Sequence, residues 1–166
     1  RPLTTPIGAI SSESRVDLTR FHATLRSDTS RPASPRPLFG AKFMDTADFS
    51  QPEYDARLSA IRTAMDAANL TTLIVTDPSN MSWATGYDGW SFYVHQGVII
   101  GPTGDPVFWG RAMDAVGATK TCYMDLSNII GYSDDYVMST KRHAMEHLAE
   151  VLRDRDWADL CLGVEM

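Results

Sequence analysis

Residues 50–76, SQPEYDARLSAIRTAMDAANLTTLIVT, change hydrophobic period without a break, and that change constrains the fold more than any other feature of the chain. Tyr54, Leu58, Ile61, Met65 and Ala68 recur at helical spacing and give one apolar stripe. Ser50 and Glu53 have capping-box spacing, and Pro52 sits in the first turn, where a missing N–H costs little. The β-branched run that follows, residues 70–76, is the signature of a buried strand.

The same alternation continues. DPSNMSWATG predicts a turn opening a short helix that ends near Gly86, and SFYVHQGVIIG predicts a long strand. PTGD turns into PVFWG, so residues 92–109 are expected to form a hairpin. RAMDAVGATKT is weakly helical and NIIGY is a short strand. MSTKRHAMEHLAEVLRDRD is a strong helix with Met138, Met145, Leu148 and Leu152 on one side and Ser139 or Thr140 as its cap; DLCLGVEM is a final strand. Helices alternating with strands imply an α/β layered fold, and the hairpin makes its sheet mixed.

Length suits one core-bearing domain, 46–166, preceded by an arm, 1–45, in which RPASPRP favours extended chain and Val16–Leu25 has the spacing of one short amphipathic helix. The charge divides likewise. Residues 1–44 carry a net +4 and residues 45–166 a net −10. An acidic domain repels phosphate backbones, which argues against nucleic-acid binding. The basic arm suits a packing or flexible segment better than the remnant of a targeting peptide. No apolar run approaches the length of a membrane span. Cys122 and Cys161 lack any metal-ligand or redox spacing and suit reduced thiols in a cytoplasmic protein.

Two stretches carry candidate chemistry. HAMEH, residues 143–147, fits the inverted zinc-protease pattern, with His143 and His147 as ligands and Glu146 activating water. A catalytic zinc wants a third protein ligand, and only nineteen residues follow His147; Glu165 is reachable but lies on an expected strand beside an apolar run, so a solvated helix face is the better account. A small zinc peptidase is therefore a distant alternative, and no metal is assigned to this chain. No nucleophile elbow, phosphate loop or dinucleotide-binding glycine pattern is present. The other stretch is GYDGWSFYVHQ, residues 86–96, where aromatics alternate with Asp88, Ser91, His95 and Gln96. On a strand, Phe92 and Val94 would face inward, and Ser91, Tyr93 and His95 outward. Tyr87 and Trp90 offer ring faces to a cationic or zwitterionic guest, and His95 a donor to a carboxylate. The same rings suit a plain subunit interface.

Residues 43–166, with RL..IR..M, LIVTD, N..W.TG, an aromatic strand and a closing LGVEM, resemble the N-terminal domain of the creatinase, prolidase and aminopeptidase P superfamily. TGYDGWSFYVHQ is most similar to ectoine-hydrolase-like members. The resemblance implies a three-layer, ribonuclease-H-like α/β sandwich that dimerises and closes one wall of the partner subunit's pocket. It implies a parent that hydrolyses a C–N bond in a small zwitterion or a proline peptide. A divalent metal would sit in a C-terminal catalytic domain beyond this chain, which would be inactive alone. Tyr93 and His95 fall near an aromatic and a permanently charged residue of creatinase-type relatives, and the histidine departs from a creatine-like substrate. The expected pocket residues are Tyr87, Asp88, Trp90, Tyr93, His95 and Gln96, none of them catalytic. A free-standing binding or oligomerisation module is the other alternative.

Overall fold

The computed structural model describes residues 48–165, so the arm and the helix expected at Val16–Leu25 lie outside the described residues. Helix α1, Gln51–Ala67, has Ser50 at its N-cap and proline in its first turn. The capping box is not formed. Ser50 makes no side-chain cap bond, and Glu53 instead pairs with Arg57 one turn along. Arg57 is buried, lies 3.9 Å from the Phe49 ring centre and 5.2 Å from that of Trp83, and donates to the Trp83 carbonyl at 2.8 Å. A desolvated guanidinium needs an anionic partner more than the helix start needs a second cap.

Strand β1, Thr72–Val75, follows. Asp77 caps α2, Pro78–Thr85, by accepting from the amides of Ser79 and Asn80 at 2.9 and 3.2 Å. Gly86 ends α2 with φ of 79°, as the sequence predicted. Then come β2, Gly97–Ile100, and β3, Val107–Arg111. Helix α3, Ala112–Thr121, β4, Ile129–Tyr132, helix α4, Ala144–Asp154, and β5, Leu162–Val164, complete the order.

The five strands form one sheet in the order β4-β3-β2-β1-β5. β1, β2 and β3 run antiparallel to their neighbours, while β5 joins β1 and β4 joins β3 in parallel. Alternation along each strand decides which face a side chain meets. Leu73, Val75, Val98, Ile100 and Phe108 pack with Leu58, Ile61 and Met65 of α1, Met81 of α2 and Ala118 of α3. Ile74, Ile99, Val107 and Trp109 pack on the other face with Leu148, Val151 and Leu152 of α4. Helices thus cover both faces, and the expected three-layer α/β sandwich with a mixed sheet is what the chain adopts.

Two elements depart from expectation. The long strand over 91–101 is shortened to β2, and 86–96 is loop. The helix expected from Met138 begins only at Ala144. Met138 has φ of 51° and is 97% exposed, a conformation no right-handed helix accommodates. Ser139 caps only its own turn, accepting from the Lys141 amide at 3.3 Å. His143 is the N-cap and closes a reciprocal box with Glu146.

Glu165 closes the sheet at its far end. Its Oε2 accepts from the amides of Thr76 and Asp77 at 2.9 and 2.8 Å, and its Oε1 accepts from the Asn80 side chain. Glu165→Ala leaves three donors to solvent and is expected to cost about 1–2 kcal/mol in urea unfolding; a loss under about 0.3 kcal/mol would show that this bracket is incidental.

Candidate functional site

Residues 87–96 run from the end of α2 to the start of β2 and fold back on themselves, which is why they make no strand. Tyr87 is buried with its ring 4.5 Å from that of Phe108, and its hydroxyl donates to Gln96 Oε1 at 3.0 Å. Gln96 is buried as well. The two ends of the loop are therefore clasped from beneath. Gly89 lies so close over the Tyr87 ring that a Cβ there would run into the phenol hydroxyl, so the loop can cross the ring only as glycine. Burial pushes the Tyr87 hydroxyl above its ordinary titration range, and the Asp114 carboxylate adds to the shift. It remains a neutral donor to Gln96.

Ser91, expected outside, is buried and donates to Asp114 Oδ1 in the first turn of α3. The Val94 amide closes a turn to the Ser91 carbonyl at 3.2 Å. Phe92, expected inside, is 65% exposed, and Val94 is only half-buried. With one side of the loop held by Tyr87, Ser91 and Gln96, the other side carries Trp90 at 80% exposure and Tyr93 at 64%. Their rings form a chain of edge contacts through Phe92, with centres 5.5 and 6.2 Å apart.

The expected pocket residues thus divide. Trp90, Tyr93, Asp88 and His95 are exposed, whereas Tyr87 and Gln96 are support for them. Asp88 is held through its backbone amide to Thr121 Oγ1 at 3.3 Å. His95 packs its ring 4.8 Å from that of His143, and its carbonyl accepts from the Tyr132 hydroxyl at 2.6 Å.

Sequence reasoning missed Asp114 and Arg111. Arg111 ends β3 and grips Asp134 with two bonds of 2.6 and 2.7 Å, and that pairing holds the Asp134 carboxyl below the usual range. RAMD at a strand-to-helix junction was the signal available, and nothing in its spacing points to Ser91.

The HAMEH side chains are engaged within the fold. His143 Nδ1 accepts from the Met145 amide at 3.2 Å, and His147 Nδ1 accepts from the Trp109 indole N–H at 3.0 Å. Both donors are fixed in kind, so each neutral ring carries its proton on Nε2 and has no lone pair left for a metal. Glu146 accepts from the His143 amide at 3.3 Å, and Glu165 is engaged at β1. Among the described residues no three histidine, cysteine or carboxylate side chains come together as ligands, and no helix is long and apolar enough to cross a membrane.

Residues 57–166 match the creatinase/prolidase N-terminal domain family model. The chain is 50% identical over 119 residues to an ectoine hydrolase of Halomonas elongata; the match covers 71% of this chain and 30% of that protein. Among solved structures, the N-terminal domain of an Xaa-Pro dipeptidase from Lactobacillus brevis superposes with a TM-score of 0.50 at 16% identity, over 60% of this chain and 69% of that one. The dipeptidase PepE of Mycobacterium ulcerans gives 0.51 at 18% identity, over 63% of this chain and 27% of that one. The chain therefore spans under a third of the length of the curated relatives it matches.

Proposed function

The chain belongs to the creatinase/prolidase N-terminal domain family, and from that premise we propose that it is the non-catalytic N-terminal domain of a dimeric, metal-dependent C–N hydrolase of the ectoine-hydrolase type. In this role the 87–96 loop meets the second subunit and forms part of the wall of its substrate pocket. The observation that carries the proposal is the loop's two-sidedness. Trp90, Phe92 and Tyr93 are exposed together, on a backbone fixed from below by Tyr87–Gln96 and Ser91–Asp114. Exposing three large rings costs solvation free energy unless something covers them, and a fixed base removes the ordering cost of covering them.

The substrate class is a small zwitterion or a proline peptide. Trp90 and Tyr93 supply ring faces for its cationic end, and His95 supplies a donor for its carboxylate. The divalent metal of such a hydrolase would be held by a further domain, since His143, His147 and Glu165 are committed elsewhere. Cys122 and Cys161 are unpaired thiols, which suits a cytoplasmic protein.

The test uses the protein that carries both this domain and the proposed catalytic one. Trp90→Ala and Tyr93→Ala are expected to raise KM for ectoine about tenfold, with folding stability changed by less than about 0.5 kcal/mol. Dissociation of the dimer without a change in KM would reduce the loop to an interface. Unchanged KM and unchanged assembly together would remove both roles.

A further inference from the structure

We propose that His143 and His147 form an acid-sensitive latch, which holds the start of α4 against the sheet and against His95 of the loop and releases when either ring takes a second proton. The chemistry lies in the direction of two hydrogen bonds. The Met145 amide and the Trp109 indole can only donate, and each is received by an Nδ1 lone pair. A proton added to either Nδ1 sets donor against donor, so the N-cap of α4 is lost at His143 and the tie between α4 and β3 is lost at His147.

Two further costs fall on the same event. An imidazolium at His143 places positive charge at a helix N-terminus, where the backbone dipole disfavours it. It also sits with its ring centre 4.8 Å from that of His95, so two charged rings would repel. Imidazole is the side chain that serves as acceptor in one protonation state and only as donor in the other.

The charged neighbours are of both signs. Glu146 lies against the His143 amide, Glu150, Asp154 and Arg155 share a groove with His147, and Arg142 lies over Tyr136. The Tyr132 and Tyr136 rings also face His147, and burial pushes the Tyr132 hydroxyl up to about 12, so it stays uncharged. None of these groups takes the place of an Nδ1 acceptor. His95 gives the latch its reach, because its carbonyl and ring tie the aromatic loop to Tyr132 and to the α4 cap.

Amide exchange, corrected for the intrinsic effect of pH, tests this on the chain as it stands. From pH 8 to pH 5.5, the amides of Met145 to Leu148 are expected to exchange about five- to tenfold faster, with a change in Trp109 emission. His143→Asn keeps a cap acceptor that does not titrate, and His147→Gln keeps an acceptor for the indole. The double variant should hold its α4 protection across the same range. If the double variant does not fold at pH 8, His143→Asn alone serves, read at the Met145 and Glu146 amides. Wild-type protection that does not change with pH, or a variant that loosens as the wild type does, overturns the latch.

Discussion

Trp109→Ala is expected to remove about 3–5 kcal/mol of stability, a large share of the margin of a domain of this size. Trp109 is almost wholly buried, on a strand paired on both sides, opposite Gly97 and Ile130. Its ring centre is 5.1 Å from that of Tyr132, and it is the largest fully buried side chain in the layer between the sheet and α4. Truncation opens a cavity that neighbouring strands cannot close, and it strips His147 of its donor. Trp109→Phe shrinks the cavity term, because it keeps most of the volume while removing the N–H and one ring, for about 1–2 kcal/mol. Urea titration of the three proteins measures both. An alanine variant within 1 kcal/mol of wild type would mean that α4 is not seated on this face.

Gly86→Ala is expected to cost about 3 kcal/mol and to lower the melting temperature by roughly 10 °C. Two independent penalties meet there. The residue has φ of 79°, where any side chain is strained. A Cβ would also lie 2.7 Å from the Tyr54 hydroxyl and 2.8 Å from the Thr121 carbonyl oxygen. Tyr54 is fully buried and stacks on Tyr123 at 4.4 Å, so it has little room to yield. Gly104→Ala is the control. It has φ of 74° but nothing within 4 Å of the added carbon, so it should show only the conformational part, about 1 kcal/mol. Equal losses at the two sites would refute the steric account of Gly86. Since Gly86 also launches the aromatic loop, the same substitution should change Trp90 emission, whereas Gly104→Ala should not.

The layered fold was legible because burial follows period. The α1 stripe and the β-branched β1 run each had one way to be satisfied, and Asp77, Pro78 and Gly86 mark the ends of α2 by local chemistry alone. The loop was not legible for a related reason. Residues 91–96 alternate as a strand would, yet Tyr87 clasps Gln96 and Ser91 reaches Asp114, and such contacts leave no mark on spacing. Tertiary hydrogen bonds outweighed β-propensity there. At α4, Ser139 and Thr140 had the composition of caps, but the left-handed turn at Met138 moved the start to His143. HAMEH fitted a metal pattern in one dimension, and in three both of its histidines are taken up in hydrogen bonds within the fold.

The bracket formed by Glu165 has a kinetic consequence. It spans 89 residues to Thr76, and the β5 rung beside β1 joins Thr72 to Leu162. Nearly the entire domain must therefore be synthesised before β1 gains its second neighbour. Until then a nascent chain exposes that strand's unpaired rim, and loop closure over such a length slows its capture. Synthesis of β5, more than collapse of the hairpin, would set when β1 ceases to be an open edge of the sheet.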